Sequence, residues 1–314
     1  MARPTLIAIG NYNDWDVEPM QAEYTLHPVA SVEALAHLPE DVCADARALA
    51  FKGHAPFGGK QMDLLPNLGL IANYGVGFDA IDVAAADARG IKVTNTPDVL
   101  NDDVADLAVA MWIAQARRIP EASDWVRSGT WSEGRDFPLN RKASGRRVGI
   151  LGLGRIGREI ADRLAAFKTE VHYASRSEKD TPGWTYHPDY VSLARAVDDL
   201  FIAVVGGPDT AGCVTAEVLD ALGPDGVLVN ISRGSVVDEG ALLDALERGR
   251  IRGAALDVFQ DEPKIDPRFL RLDNALLQPH QGSGTGETRR AMGQLQRDNV
   301  AAFFADRPLL TPVN

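Results

Sequence analysis

The chain has 314 residues, of which 45% are apolar and 24% charged, as expected for a globular protein. This length predicts two domains, each able to bury a core without disulfides, and the two cysteines are too far apart in sequence for a cysteine-rich zinc site. A net charge of −12 argues against a nucleic-acid partner, because surfaces that bind phosphates are basic.

The first third of the chain alternates short apolar runs with helical segments. Residues 5–9, 68–72 and 92–94 predict strands, and residues 82–88 predict a helix between the last two. Residues 101–117 follow as an apolar helix with acidic residues in its first turns, where the helix dipole favours negative charge. This alternation is typical of an α/β arrangement.

The remainder of the chain repeats this alternation more regularly. Residues 128–144 are polar, glycine-containing and aromatic, which predicts a loop arm. Six continuous apolar runs then predict buried strands of a parallel sheet covered on both faces: 148–151, 170–174, 200–205, 227–231, 254–258 and 275–278. The predicted helices of this part are residues 155–167, 191–196, 215–222, 239–248 and 288–306.

Together these elements predict an α/β fold with two doubly wound, Rossmann-like domains built on parallel sheets. The expected boundaries place residues 99–284 as one domain, inserted into a discontinuous domain of residues 1–98 and 285–314. The longest apolar stretch is far below spanning length, and the N-terminal apolar run is too short for a secretory signal. We therefore expect a cytoplasmic protein without a membrane partner.

The strongest local motif is Gly152-Leu153-Gly154-Arg155-Ile156-Gly157, which follows a predicted strand and opens a helix. That context predicts a dinucleotide site. The first glycine permits a tight turn, the second lets backbone approach a pyrophosphate, and the third allows close helix packing. The helix N-terminus offers N–H groups to the phosphates. The expected cofactor contacts here are Gly152, Gly154, Arg155, Ile156 and Gly157.

The end of the next strand bears on which dinucleotide is bound. An NAD site usually has an acidic residue about 20 residues beyond the glycines, where it binds the ribose 2′-hydroxyl. Here the strand is followed by Ser175, Arg176 and Ser177. No carboxylate there repels a 2′-phosphate, and a guanidinium with two hydroxyls can bind one. The sequence favours NADP(H), the alternative being a solvated loop with an incidental arginine.

Three later motifs complete a recognisable order, at residues 230–234, 256–263 and 278–283. With the motifs at residues 74–82 and 94–97, they make the chain resemble the D-isomer-specific 2-hydroxyacid dehydrogenase family over nearly its whole length. Within that family, residues 175–177 and the closing segment 308–313 are similar to NADPH-dependent glyoxylate/hydroxypyruvate reductases and their hydroxyphenylpyruvate reductase relatives.

The resemblance implies that Arg233, Glu262 and His280 are the catalytic arginine, acid and histidine. An arginine fork can hold a 2-oxo acid by its carboxylate and polarise the keto oxygen. A histidine can donate a proton to that oxygen while the nicotinamide supplies the hydride, so no metal is expected. Taken singly, each residue has a structural alternative: a core histidine, a capping arginine or a surface glutamate.

The resemblance also implies a set of substrate contacts. The backbone N–H groups of Val76 and Gly77 are expected to bind the substrate carboxylate, together with Arg233 and His280. The alternative for Gly77 is a structural role as a turn glycine, and it would have that role whether or not the site exists. These contacts follow from the family and not from residue spacing.

Further cofactor contacts are implied in the same way. Asp257 is expected to meet the nicotinamide amide, Ile231 and Arg233 to line its ring, and Gly282 to lie beside the cofactor. At Val205-Gly206-Gly207-Pro208 the family often has Pro-Leu-Thr-Pro. Because this chain lacks that threonine hydroxyl, we expect only the backbone of Val205 to lie near the cofactor.

The resemblance implies an enzyme that uses NADPH, with NADH as a second cofactor, to reduce small 2-oxo acids. Glyoxylate and hydroxypyruvate would give glycolate and D-glycerate. The alternatives are a hydroxyphenylpyruvate-type or other D-2-hydroxyacid dehydrogenase and, in a different class, a nucleotide-sensing corepressor on the same scaffold. Site residues and not the fold must decide between them.

A homodimer is expected from two apolar features. The helix at residues 101–117 is too apolar for a solvated helix, and the aromatic arm at residues 125–137 has little reason to face water. A two-fold interface is the commonest way to cover such surfaces. Trp131 on this arm either reaches the partner's active site or only fills the interface, and the sequence leaves both open.

Overall fold

The computed structural model describes residues 3–314, and their contacts divide the chain into two compact units. Unit 1 contains the chain up to Leu100 together with Thr285–Asn314, and unit 2 is Asn101–Gly284. Among residues 3–314, no helix combines the length and apolar character that crossing a bilayer requires.

Unit 1 contains a five-stranded parallel sheet. Its elements up to Leu100 are β1 (Thr5–Ile9), α1 (Asp14–Glu23), β2 (Thr25–Val29), α2 (Glu40–Asp45), β3 (Ala46–Phe51), α3 (Gly59–Met62), β4 (Leu70–Asn73), α4 (Val83–Asp87) and β5 (Lys92–Thr94). The strands lie in the order β2-β1-β3-β4-β5, and every neighbouring pair is parallel. The carboxyl ends of all five strands therefore meet at one edge, where doubly wound sheets bind ligands.

Unit 2 contains a seven-stranded sheet, also parallel throughout, in the order β12-β11-β10-β9-β6-β7-β8. Its elements are α5 (Asn101–Arg117), α6 (Ile119–Arg127), β6 (Arg147–Leu151), α7 (Arg155–Ala165), β7 (Glu170–Ala174), β8 (Thr185–His187), α8 (Tyr190–Ala196), β9 (Asp199–Ile202), α9 (Ala216–Leu222), β10 (Val227–Asn230), α10 (Glu239–Glu247), β11 (Gly253–Leu256) and β12 (Ala275–Leu277). The last helix, α11 (Gly286–Phe304), belongs to unit 1 and packs against β4, β3 and α1.

The central strands are buried on both faces, which explains their continuous apolar sequences. On β1, for example, Ile7 and Ile9 join one apolar cluster, whereas Leu6 and Ala8 join another. The predicted α/β class with two parallel, doubly wound sheets is thereby confirmed.

The structure differs from the predicted elements where the continuous apolar sequence of a buried strand is weak or missing. Strands β2 and β3 were not predicted: β2 contains Pro28 and is largely half-exposed, and β3 is rich in alanine, which has low strand propensity. The edge strand β8 and the helix α6 were also missed, so the aromatic arm predicted at residues 125–137 begins within a helix. The predicted strand at 200–205 ends at Ile202.

A buried ion pair holds the C-terminal end of the loop arm (residues 128–144) against the unit 2 sheet. Asp199, the first residue of β9, is fully buried and pairs with Arg141. The Trp112 indole on α5 donates to the same carboxylate at 3.0 Å. Burial raises the pKa of Asp199, and the arginine opposes that shift. The arm is therefore fixed at its C-terminal end by a charge that must stay paired.

Candidate functional site

The glycine motif forms the turn between β6 and α7, and its three glycines differ in the space around them. Gly152 has φ +100, and a Cβ there would lie 2.7 Å from the Val204 nitrogen. A Cβ on Gly157 would lie 2.1 Å from the Gly152 oxygen, so both positions require glycine for packing. Around Gly154, at the N-cap of α7, a Cβ would meet no atom of residues 3–314 within 4 Å other than those of its two chain neighbours. Open space and helix N–H groups are what a bound pyrophosphate needs.

The segment after β7 carries the residues predicted to choose the cofactor. Ser175 is half-buried, and its hydroxyl donates to the Ser177 carbonyl at 2.5 Å. The Tyr186 hydroxyl on β8 donates to the Ser175 carbonyl at 3.4 Å. Arg176 is exposed, and its guanidinium forms no ion pair with any of residues 3–314. The hydroxyls of Ser175 and Tyr186 therefore order this turn, and the Arg176 guanidinium is exposed.

Arg233 follows β10 in a segment ordered by the buried side chain of Asn230. The Asn230 amide oxygen accepts the Ser232 N–H at 3.0 Å, and its nitrogen donates to the Arg233 carbonyl at 2.9 Å. The half-buried Arg233 guanidinium donates to the Ser232 carbonyl at 2.8 Å. Gly234 is packed so closely that a Cβ there would lie 1.9 Å from the Phe259 carbonyl carbon. The segments carrying Arg233 and Glu262 therefore touch.

Glu262 and His280 are in direct contact. The Glu262 Oε2 lies 2.6 Å from the His280 Nδ1, and its other oxygen accepts the Phe259 N–H at 2.9 Å. The two side chains are 29% (His280) and 24% (Glu262) exposed, so a bound molecule can reach them. Because Nδ1 is directed at the carboxylate, Nε2 is the ring nitrogen that points away from Glu262.

Asp257, the residue after β11, orders the turn that carries His280. It is 1% exposed, and its two oxygens accept the N–H groups of Gln281 at 2.6 Å and Gly282 at 2.7 Å. Its carbonyl accepts the His280 N–H at 2.9 Å. Burial raises the pKa of Asp257, whereas the two N–H groups and His280 oppose that shift. The predicted contact between Asp257 and a nicotinamide stays a prediction; the observed role is to hold the turn.

Val76 and Gly77 lie in unit 1, on the loop after β4. The Asn73 amide donates to the carbonyls of Gly75 at 3.0 Å and Gly77 at 2.9 Å. The Asn95 amide donates to the Val76 carbonyl at 2.9 Å. In a trans peptide the N–H points opposite to the C=O, so the N–H groups of Val76 and Gly77 point away from these amides. Neither N–H has a hydrogen-bond partner among residues 3–314.

The other predicted cofactor residues differ in exposure. Ile231 is 8% exposed, whereas Val205 is 67% exposed. Glu239 was missed by sequence reasoning: from the first turn of α10 its carboxylate accepts the Gln260 N–H at 2.9 Å and so holds the loop that carries Glu262. An acidic residue in the first turn of a helix is ordinarily explained by its favourable interaction with the helix dipole. No feature of the sequence indicates that Glu239 contacts residue 260.

Comparison with known proteins gives a consistent result. Residues 109–282 match the family described as "D-isomer specific 2-hydroxyacid dehydrogenase, NAD binding domain". The hydroxyphenylpyruvate reductase of Plectranthus scutellarioides is 47% identical over 85% of each chain. The 2-ketogluconate reductase of Gluconobacter oxydans (strain 621H) is 43% identical over 99% of each chain.

A solved structure is similar throughout. It is that of an NADPH-dependent glyoxylate/hydroxypyruvate reductase from Sinorhizobium meliloti in complex with NADP and malonate. The two chains are 42% identical and superpose with a TM-score of 0.95. The match covers 99% of this chain and 97% of that one.

Proposed function

The chain belongs to the D-isomer-specific 2-hydroxyacid dehydrogenase family and is an NAD(P)-dependent oxidoreductase, and on that premise we propose that it reduces small 2-oxo acids with NADPH. Glyoxylate would give glycolate, and hydroxypyruvate would give D-glycerate. The observation that carries this proposal is the 2.6 Å contact between Glu262 and His280, next to the segment that bears Arg233. A 2-oxo acid needs a cation for its carboxylate and a proton donor for its keto oxygen.

The assay that tests this function is oxidation of NADPH in the presence of glyoxylate or hydroxypyruvate. The expected result is substrate-dependent loss of NADPH absorbance, with glycolate or D-glycerate as the product. Binding of NADPH without turnover of any 2-oxo acid would contradict it and would favour the nucleotide-sensing corepressor.

In the proposed mechanism each residue has a separate task. The hydride to C2 of the substrate would come from NADPH when it is bound. The Arg233 guanidinium holds the carboxylate and polarises the keto oxygen. His280 gives its Nε2 proton to that oxygen, and the Glu262 carboxylate on Nδ1 stabilises the protonated ring before transfer. A contact of the substrate carboxylate with the N–H groups of Val76 and Gly77 stays a prediction from the family resemblance.

The pyrophosphate of the cofactor would lie over Gly154 at the N-terminus of α7, where there is space for it. Its 2′-phosphate would meet Ser175, Arg176 and Ser177. The exposed arginine and the absence of a carboxylate at residues 175–177 support NADPH over NADH. The similar reductase from Sinorhizobium meliloti is described as NADPH-dependent, which supports the same preference.

Replacing Arg176 tests cofactor choice. A charge-assisted hydrogen bond contributes about 1.5–3 kcal/mol, so Arg176→Ala is expected to raise the KM for NADPH roughly 10-fold or more. The KM for NADH should change little, because NADH has no 2′-phosphate. Arg195→Ala, which removes an exposed arginine from α8, is the control and should leave both values unchanged. An equal loss with both cofactors would show that Arg176 does not bind the phosphate.

Replacing Glu262 tests the proton donor. Glu262→Gln keeps an oxygen for the Phe259 N–H but removes the negative charge beside the imidazole. Because the carboxylate orients the imidazole through Nδ1, its loss should lower kcat for reduction about 10²-fold, while NADPH still binds. The measurement is kcat at one neutral pH with saturating NADPH. Asp261→Asn, at the neighbouring exposed carboxylate, should leave kcat unchanged. An undiminished kcat in Glu262→Gln would exclude this pairing as the acid–base unit.

The apolar face of α5, one of the two features from which a homodimer was predicted, is instead covered by α7 and the sheet of its own chain. An apolar surface on α6 and the loop arm (residues 128–144) still supports a homodimer. Among residues 3–314, α6 buries none of its own side chains. Ile119, Val126, Trp131 and Leu139 are all at least half exposed. We expect a second copy of the chain to cover this surface. Light scattering at micromolar concentration should give twice the chain mass. Val126→Asp should lower the mass, whereas Leu270→Asp, at another exposed leucine, should not. A monomeric wild-type protein would contradict the proposal.

A further inference from the structure

A segment of unit 1, residues 309–314, runs beside β5, which is an edge strand of the sheet. An isolated antiparallel bridge joins the segment to the strand. The Val313 N–H donates to the Val93 carbonyl at 2.8 Å, and the Asn314 side-chain oxygen accepts the Val93 N–H at 2.7 Å. These contacts hold the segment on the sheet without the side chain of Thr311.

The Thr311 hydroxyl is directed at Asn95, the residue after β5. The fully buried Asn299 amide donates to the Thr311 Oγ1 at 2.9 Å. A hydroxyl has one proton, and because this oxygen already accepts from Asn299, the proton is directed at the Asn95 carbonyl, 2.6 Å away. The Asn95 N–H donates back to the Thr311 carbonyl at 3.3 Å. Thr311 therefore holds the Asn95 backbone by two hydrogen bonds.

The Asn95 side chain connects this contact to the loop after β4. Its amide donates to the Val76 carbonyl at 2.9 Å. That carbonyl and the Gly77 N–H belong to one peptide group, which is planar and trans, so fixing the carbonyl also fixes the direction of the N–H. Two of the three residues at 75–77 are glycines, whose backbone is the least restricted of any residue. The direction of the Gly77 N–H therefore depends on the amide of Asn95.

The preceding peptide group of the loop is held from other positions. It contains the Gly75 carbonyl and the Val76 N–H. The Asn73 amide donates to this carbonyl at 3.0 Å, and the Thr96 N–H donates to it at 2.9 Å. The two N–H groups of the loop are thus oriented by different residues, and Asn95 acts on that of Gly77.

We propose that Thr311 and Asn95 are positioning residues for the substrate carboxylate: Thr311 holds Asn95, and Asn95 directs the Gly77 N–H towards the carboxylate. This role rests on the proposed function, because it takes the N–H groups of Val76 and Gly77 as donors to a 2-oxo acid. Holding residues 309–314 on the sheet does not account for the Thr311 hydroxyl, since the backbone bridge and the Asn314 side chain already do so.

Steady-state kinetics with NADPH and either glyoxylate or hydroxypyruvate test this role. Thr311→Val keeps the branched side chain and the backbone groups but removes the hydroxyl, and Thr311→Ser is the conservative variant. Asn95→Ala removes the amide that holds Val76. Thr25→Val is the matched control, because the Thr25 hydroxyl donates to a backbone carbonyl at 3.4 Å on the opposite edge of the same sheet.

For Thr311→Val we expect the KM for the 2-oxo acid to rise about 2- to 10-fold, which corresponds to the loss of one neutral hydrogen bond. The rise should be equal for glyoxylate and hydroxypyruvate, because both carry the same carboxylate. A contact that is equally strong before and during hydride transfer affects KM alone, so kcat and the KM for NADPH should hold. Thr311→Ser should recover the wild-type KM, and Thr25→Val should show no change.

The double variant shows whether Thr311 acts through Asn95. Asn95→Ala should raise the KM for both acids at least as much as Thr311→Val. Residues that act through the same contact have non-additive effects, so adding Thr311→Val to Asn95→Ala should raise the KM no further. If the two effects multiplied instead, Thr311 would not act through Asn95, and the proposal would be overturned. Thr311→Val and Thr311→Ser decide the point alone if Asn95→Ala does not fold.

An unchanged KM in Thr311→Val, with normal turnover of glyoxylate, would overturn the proposal and leave the proposed function intact. A fall in kcat together with a higher KM for NADPH would assign Thr311 a general structural role and would overturn it too. If the wild-type enzyme turned over neither acid with NADPH, the proposed function itself would fail.

Discussion

The candidate site of unit 2 depends on the buried carboxylate of Asp257. Burying a carboxylate is costly unless its oxygens accept hydrogen bonds, and here the N–H groups of Gln281 and Gly282 meet that need from a single turn. The same turn holds His280 at φ +54, a conformation that few non-glycine residues adopt. Satisfying one buried charge thus fixes the backbone from which the imidazole reaches Glu262.

The partner carboxylate is fixed by a second set of contacts. Gly234 packs against the Phe259 carbonyl, Glu239 accepts the Gln260 N–H, and Glu262 accepts the Phe259 N–H. Two of these contacts come from the segment after β10, which also carries Arg233. The geometry of the Glu262–His280 pair and the position of Arg233 are therefore coupled through backbone contacts, which is the preorganisation that the proposed proton transfer requires.

Elements could be predicted from the sequence where the same environment, such as burial on both faces of a sheet, acts on consecutive residues. Strands buried on both faces appear as continuous apolar runs, so the parallel sheet of unit 2 was predictable, whereas the edge strand β8 lacks that pattern. Arg233, Glu262 and His280 could be singled out because the motifs that carry them resemble those of the family, and their catalytic roles stay predictions. Glu239 was missed, because its contact with the Gln260 N–H joins residues that are far apart in sequence and becomes visible only in the folded chain.

Hydride transfer to a 2-oxo acid with His280 as proton donor is tested most directly with NADPH that carries deuterium at both C4 positions. Incubation with hydroxypyruvate should give D-glycerate deuterated at C2. His280→Gln should form this product at least 10²-fold more slowly while still binding NADPH, as expected for loss of a general acid. Product without deuterium, the L-isomer, or an undiminished rate in His280→Gln would contradict the assignment.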